Sequence, residues 1–174
     1  KLGFGLDPGA YVAGLARAAA AAGADIRARS PVTGISPGPG GYRLDTPKGS
    51  LTAQRLLIAT NGYSSDDVPR WLAGRFLPVQ SSIMVTRPIT KVEQQAQGWT
   101  SDLMAYDSRS LLHYFRLMPN GRFLFGMRGG MRASAAREAQ VRRRIRADFE
   151  AMFPAWRGVE TAHYWSGLVN FSRA

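Results

Sequence analysis

The first pattern along the chain is a helical repeat of apolar positions. After Asp7-Pro8, a capping carboxylate followed by a proline suited to a first helical position, apolar residues recur through PGAYVAGLARAAAAAGA and stop at Gly23. In ADIRARSPV, Ile26 and Ala28 alternate with arginines, which predicts a strand. SPGPGG predicts a turn, and GYRLDT with GSLTAQ predicts a short hairpin.

A continuous apolar run follows at QRLLIATNG. Leu56 to Ala59 run directly into Thr60-Asn61-Gly62. An apolar run closed by a turn predicts a strand buried on both faces. Small polar residues at the carboxyl end of such a strand lie where open α/β sheets bind their ligands. We therefore expect a ligand near this turn.

From Arg75 onward the strands become longer. RFLPVQSSIMVTRPIT predicts a strand from about Val79 to Arg87, and KVEQQAQGW predicts one or two helical turns. LLHYFRLMPNGRFLFGMRGG predicts a hairpin that turns at Asn120-Gly121. Alternation along its first arm gives two sets of side chains on opposite faces, namely His113, Phe115 and Leu117 on one and Tyr114, Arg116 and Met118 on the other.

An amphipathic helix is predicted over SAAREAQVRRRIRADFEAMF, capped by Ser134 and ended by Pro154. Its arginines fall largely on the face opposite the apolar stripe. A final strand is predicted in ETAHYWSGLVNF. We expect the helix to be buried against the hairpin through its stripe, which consists of Val141, Ile145, Phe149 and Met152.

Composition excludes several classes of site. The 174 residues are 45% hydrophobic and contain no cysteine, so neither a disulfide nor a cysteine-ligated metal is possible. The chain has only two histidines, and we expect no metal site. No apolar run approaches the ~18 residues of a membrane span. A reducing compartment is compatible with this composition, and we predict a cytoplasmic protein.

The formal net charge of +11 suggests a nucleic-acid partner. The densest cluster, Arg142-Arg143-Arg144, lies inside the amphipathic helix and lacks the aromatic residues that RNA-binding modules use for stacking. We therefore favour a solvated helix face and expect no nucleic-acid partner. A basic nucleic-acid-binding module and a non-catalytic α+β interaction domain remain the alternative interpretations.

The order of these elements resembles the middle of the D-amino-acid-oxidase-type FAD-dependent oxidoreductases. The resembling segments are LDPGAYVAGLARAAAAAGADIRARSPVTGI, YRLDTPKGSLTAQRLLIATNGYS, YDSRSLLHYFRLMPNGRFLFGMRGG and YWSGLVNFS. The sequence pattern resembles that of the γ-glutamylputrescine oxidoreductase-like members most, and the resemblance covers essentially the whole chain. The strand–GxGxxG–helix that seats the FAD pyrophosphate in the family does not occur in these residues. The chain is therefore predicted to be an internal fragment that is inactive by itself.

The resemblance implies an α+β fold derived from an α/β one. Residues 1–75 are expected to form part of an FAD/NAD(P)-binding Rossmann-like domain. Residues 76–165 are expected to form a substrate-binding domain with a mixed or antiparallel β-sheet and flanking helices. Residues 166–174 are expected to start the return to the FAD-binding domain. A dimer or crystal contact is expected along an exposed sheet edge.

The resemblance also implies a cofactor, FAD, and a small-molecule substrate, an amine or amino acid oxidised at its C–N bond by hydride transfer to the flavin. No residue is assigned a catalytic role. Arg128, in the hairpin that turns at Asn120-Gly121, is a further basic candidate for binding the substrate. The alternative for Arg116 is a solvent-face arginine, and for His113 a sheet histidine with its bonds satisfied. The expected cofactor-binding residues are Val32, Ala59, Thr60, Asn61 and Gly62, and the expected substrate-binding residues are Arg116, Tyr114, His113 and Tyr106.

Overall fold

The computed structural model of the chain describes residues 4–130 and 135–172, the side chains of residues 135 and 136 excepted. Packing divides the chain into two compact units. The first contains the residues up to 58 together with 66–71, and the second contains 59–65 together with the residues from 72 onward. The domain boundary at Arg75 stays a prediction.

The first unit consists of one helix and a small antiparallel sheet. Helix α1, Pro8–Ala21, begins after Asp7, whose side chain accepts a hydrogen bond from the Ala10 N–H at 3.0 Å. This confirms the predicted cap and helix. The sheet has the order β1-β2-β3, and its strands are β1 Gly34–Gly38, β2 Gly41–Thr46 and β3 Gly49–Ala53.

The turn predicted in SPGPGG is shorter than expected. Strand β1 runs through Gly38 and pairs with β2, so only Pro39 and Gly40 remain for the turn. Gly40 has φ +74°, a left-handed conformation that glycine adopts without a steric penalty. The hairpin between β2 and β3 is confirmed.

Two predicted strands are not formed. Residues 24–33 and 54–60 adopt neither helix nor strand, and Leu57 is 87% exposed. The prediction of a buried strand from Leu56 to Ala59 was therefore wrong for the described chain. A buried strand needs neighbouring strands that satisfy its backbone N–H and C=O groups, and none of the described strands pairs with either segment. An apolar run supplies hydrophobicity but no pairing partner.

The second unit is built on a five-stranded antiparallel sheet of order β5-β6-β7-β4-β8. The long first strand, the hairpin and the two helices confirm the sequence predictions and the α+β class, although Ser134, the expected cap of α3, lies outside the described residues. The elements in chain order are β4 Phe76–Pro88, α2 Lys91–Gln97, β5 Ala105–Tyr106, β6 His113–Leu117, β7 Arg122–Arg128, α3 Ala135–Met152 and β8 Thr161–Ser172.

One face of this sheet packs against α3 and forms the core. Phe149 of α3 lies between aromatic rings, with its centroid 5.8 Å from that of Phe125 and 6.2 Å from that of Phe123. Trp156, which follows the helix, closes the cluster at 4.9 Å from Phe123. All four side chains are fully buried. The apolar stripe of α3 is therefore confirmed as the face that the helix buries.

Helix α2 begins with a capping box supported by an arginine. The Thr90 hydroxyl accepts from the Glu93 N–H at 3.2 Å, and Glu93 Oε2 accepts from the Thr90 N–H at 2.8 Å. Arg87 Nη2 donates to Glu93 Oε1 at 2.6 Å. The bond from Arg87, followed by those from Thr90, lowers the pKa of Glu93 from 4.5 to about 2.

Replacing Glu93 by glutamine is expected to destabilise the protein in a pH-dependent way. Because folding lowers the pKa of Glu93, its contribution is fully present above about pH 4.5 and is lost as the pH falls toward about 2. Urea unfolding should therefore show a gap between wild type and Glu93→Gln that shrinks over this range. Glu138→Gln, at an exposed position of α3, is the control. A gap independent of pH would contradict the ionic role.

Candidate substrate face of the five-stranded sheet

Three of the predicted substrate residues share the sheet face that points away from α3, which we call the front face. Tyr106 of β5 and Tyr114 of β6 are direct partners across the two strands, so their side chains project to the same side. Arg116 lies two residues beyond Tyr114 on β6 and therefore shares that side. The structure thus brings together Tyr106, Tyr114 and Arg116 on one surface.

Tyr114 is fixed on the front face by two neighbours. Its hydroxyl lies 2.8 Å from the Ser81 hydroxyl on β4. Its ring covers Gly126, its direct partner on β7, and a Cβ at position 126 would overlap Cε2 and Cζ of the ring. Gly126 is therefore required by the close approach of the ring, since it has no side chain to displace it. Tyr114 is half-buried and held in one position.

Arg116 carries an orphaned donor. The side chain is half-buried, and its Nε atom is buried without a hydrogen-bond partner among the described residues. A buried donor left unpaired costs about 1–3 kcal/mol, more for a charged group. An acceptor on a bound molecule, above all a carboxylate, would satisfy this group. Arg116 is thus not a fully solvated arginine, and its substrate role stays a prediction.

The other two front-face candidates are more open. Tyr106 is 74% exposed, so its ring is available to a ligand. Arg128 is half-buried, and its guanidinium lies 6.0 Å from the ring centroid of Phe171 on β8. That distance is at the outer limit of a cation–π contact. Arg128 therefore has a partner within the sheet, whereas Arg116 Nε lacks one among the described residues.

His113 lies on the opposite face and is not brought to this group. It is 2% exposed, with Nδ1 2.7 Å from Asp107 Oδ2 and Nε2 3.2 Å from Asp148 Oδ2. The alternative interpretation, a sheet histidine with satisfied bonds, describes its surroundings. Asp107 and Asp148 were not predicted as its partners. Asp148 is 35 residues away on α3, a separation that no local periodicity reveals.

The pKa of Asp107 lies below its usual value of 3.8. Burial of the carboxyl group raises the pKa, but hydrogen bonds from the His113 ring, the His113 N–H and the Arg109 N–H together outweigh that effect. The carboxylate is thus held in its ionised form at the point where β5 leads into the following loop. This loop connects Tyr106 to β6.

The predicted cofactor turn packs along the edge of β8. Asn61 begins a 3₁₀ turn over Asn61–Tyr63 and has φ +51°, a left-handed conformation. Gly62 is buried, and a Cβ there would lie 2.9 Å from the Leu168 Cβ. The Tyr63 hydroxyl accepts a hydrogen bond from the Leu168 N–H at 3.1 Å. Packing against β8 is therefore sufficient to explain the glycine at position 62.

The remaining cofactor candidates are accessible. Ala59 and Thr60 are exposed in the second unit, and Val32 is 38% exposed in the first. Their cofactor role stays a prediction. The orphaned donor of Arg116 fits a hydrogen-bond acceptor on FAD or on a substrate. The 174 residues contain no G-x-G-x-x-G segment for the pyrophosphate, so they fit part of an FAD site.

The arginines of α3 are largely engaged within the chain. Arg144 Nε donates to both carboxylate oxygens of Asp148, at 3.0 and 2.9 Å. Arg146 Nε donates to Glu150 Oε1 at 2.7 Å, and the Arg142 guanidinium lies 5.3 Å from the ring centroid of Tyr164. These contacts agree with a helix face that serves the fold. The absence of a nucleic-acid partner stays a prediction.

Neither a metal centre nor a membrane span is found in the described part of the chain. Residues 4–130 and 135–172 contain no group of three or more metal-ligating side chains placed to hold an ion. Within the same residues no helix is long and apolar enough to cross a bilayer.

Comparison with known proteins identifies relatives over nearly the whole chain. The family model described as FAD dependent oxidoreductase (DAO) matches residues 3–173. The chain is 33% identical over 167 residues to the probable oxidoreductase OrdL of Rhizobium meliloti (strain 1021), covering 96% of this chain and 38% of the relative. It is 30% identical over 131 residues to γ-glutamylputrescine oxidoreductase of Escherichia coli (strain K12), covering 74% and 30% respectively. The chain thus spans no more than 38% of the length of these relatives.

Two solved structures share the fold. Glycine oxidase from Geobacillus kaustophilus superposes with a TM-score of 0.68 at 22% identity, covering 92% of this chain and 41% of that one. NikD, an amino acid oxidase of nikkomycin biosynthesis, superposes with a TM-score of 0.70 at 18% identity, covering 96% and 45% respectively. These similarities confirm the predicted fold class.

Proposed function

We propose an activity for a chain that belongs to the FAD dependent oxidoreductase family: its full-length protein oxidises the C–N bond of a small amine or amino acid. The observation that carries this proposal is the front face, where Tyr106, Tyr114 and the orphaned donor of Arg116 lie together. When bound, FAD, the family's cofactor, would supply a hydride acceptor for the carbon next to a neutral amine, and water would hydrolyse the resulting imine.

The chain's own residues are proposed to bind and orient the substrate. Arg116 Nε–H donates to an acceptor on the substrate, which anchors one end of it. The rings of Tyr106 and Tyr114 flank the apolar part and exclude water, and the Ser81 hydroxyl keeps Tyr114 in position at 2.8 Å. Fixing the reacting carbon in this way lowers the entropic part of the barrier.

The proposed substrate is a small primary or secondary amine that also carries an acceptor group, most simply a carboxylate. Arg116 supports the acceptor, because an unpaired guanidinium donor is unfavourable until an anion reaches it. The relative named γ-glutamylputrescine oxidoreductase supports an amine. No further protein or nucleic-acid partner is proposed for this activity.

Replacing Arg116 by alanine in the full-length protein is expected to lower kcat/KM at least about tenfold, or ~1.4 kcal/mol of transition-state stabilisation. The measurement is anaerobic flavin reduction by a panel of small amines and amino acids. Arg143→Ala, at an exposed position of α3, is the matched control and should leave kcat/KM unchanged. Unchanged kinetics for Arg116→Ala would refute the substrate role, and a full-length protein without flavin absorbance after reconstitution would refute the activity.

A further inference from the structure

Asp107, the residue after Tyr106, is held by hydrogen bonds to His113 and by an ion pair with Arg109. The Asp107 N–H donates to the His113 carbonyl at 3.0 Å, and Asp107 Oδ1 accepts from the His113 N–H at 3.0 Å. Asp107 Oδ2 lies 2.7 Å from His113 Nδ1 and 3.4 Å from Arg109 Nε. Because Asp107 directly follows Tyr106, these bonds also limit where the Tyr106 backbone lies.

His113 is in turn fixed from three sides. Its ring stacks on Phe125, with the centroids 5.1 Å apart and the planes 24° apart. Nδ1 faces Asp107, and Nε2 faces Asp148 Oδ2 of α3 at 3.2 Å. Asp148 is also held by Arg144 of the same helix. The ring therefore links α3 to the loop after β5.

Both ring nitrogens of His113 face a carboxylate, and Arg109 Nη1 also lies 3.5 Å from Nδ1. In either tautomer the ring N–H has a carboxylate acceptor, at 2.7 or 3.2 Å. The ring, which is 2% exposed, is therefore held by side chains of both the loop after β5 and α3.

We propose that His113 is a positioning residue: its ring bridges Asp107 and Asp148, at 2.7 and 3.2 Å, and thereby holds Tyr106 opposite Tyr114 on the front face. The inference rests on the proposed function, because Tyr106 meets a substrate only in that scheme. His113 itself lies on the other face of the sheet and touches no substrate.

Replacing His113 by phenylalanine in the full-length protein keeps the stack on Phe125 and removes the polar contacts of the ring with Asp107, Arg109 and Asp148. KM is expected to rise about fivefold to tenfold while kcat stays within about twofold, since Tyr106 loses its position and the chemistry is unaffected. When Tyr106 is already replaced by alanine, adding His113→Phe should leave KM at the value of the Tyr106→Ala variant. A purely structural role predicts that the two effects add, because they would be independent.

His163→Phe is the matched control, since His163 is the chain's other histidine and is exposed on β8. Additive effects, or an unchanged KM in His113→Phe, would overturn the inference. If His113→Phe does not fold, Asp148→Asn removes the charge that faces Nε2 and is expected to raise KM in the same direction. An unchanged KM in that variant would also overturn it.

A second measurement does not depend on turnover. The ring N–H proton of His113 in ¹⁵N-histidine-labelled protein, assigned by comparison with His113→Phe, is expected to exchange slowly with solvent, because the ring is 2% exposed and both of its nitrogens face a carboxylate. Exchange as fast as that of the exposed His163 ring would overturn the bridge. If the reconstituted full-length protein shows no flavin absorbance while the His113 ring N–H exchanges slowly, the proposed function fails and the bridge remains. If the effects of His113→Phe and Tyr106→Ala on KM simply add, while the other results are as expected, the positioning role fails and the proposed function remains.

Discussion

Replacing Phe149 by alanine is expected to lower the free energy of unfolding by about 3–5 kcal/mol. The side chain is fully buried, and its ring meets those of Phe123, Phe125, Phe153 and Trp156 at centroid distances between 5.6 and 6.4 Å. Two of these rings belong to β7 and two to the segment after the helix, so they cannot collapse together into the space left behind. The measurement is urea unfolding followed by tryptophan fluorescence.

Arg143→Ala is the control on the same helix, since it truncates an exposed side chain on the face opposite the buried stripe. Its effect is expected to stay within about 0.5 kcal/mol. A loss of less than about 1 kcal/mol for Phe149→Ala would mean that α3 is not held against the sheet by this ring. It would contradict the core as described.

Replacing Gly126 by alanine is expected to reduce both stability and activity. The new Cβ would overlap the Tyr114 ring, so the ring has to leave its position and lose its bond to the Ser81 hydroxyl. Overpacking of this kind costs about 1–3 kcal/mol of stability. If Tyr114 binds substrate as proposed, kcat/KM should fall about a hundredfold, or ~2.7 kcal/mol. Thermal unfolding and steady-state kinetics measure the two effects.

Gly158→Ala is the matched control, because a Cβ at position 158 has nothing within 4 Å. A second substitution, with a smaller side chain at position 114, separates the loss of stability in Gly126→Ala from the loss of activity. Tyr114→Leu in that background should restore stability and leave activity low. Recovery of activity along with stability would show that the Tyr114 ring has no role in the reaction.

Local periodicity was sufficient to predict β4, the hairpin, α3 and β8 of the second unit, whereas the two-residue strand β5 was not predicted. The alternation of HYFRL fixes which side chains of β6 are buried, and the spacing of Val141, Ile145 and Phe149 fixes the buried face of α3. Asn120-Gly121 marks the hairpin because Gly121 adopts φ +77° at its turn. These features depend on residues close together in sequence, so the sequence alone displays them.

The failures depend on residues far apart. The apolar run from Leu56 to Ala59 has the composition of a buried strand, but a strand also needs neighbours, and none of the described strands pairs with it. The relatives are more than twice as long as the matched region, so residues outside this chain are the place to look for such neighbours. The bridge from Asp107 through His113 to Asp148 was missed for a similar reason, since its parts lie on three separate elements.

The hydrogen bond between the Tyr63 hydroxyl and the Leu168 N–H has a consequence for building chimeras. It joins a segment that precedes the sheet in sequence to β8, the strand at the edge of that sheet. Exchanging the five-stranded sheet between relatives with a crossover at Arg75 would combine β8 from one parent with the residue at position 63 from the other. A crossover placed before Ala59 keeps Tyr63 and Leu168 from the same parent and also preserves the close fit of Gly62 against Leu168.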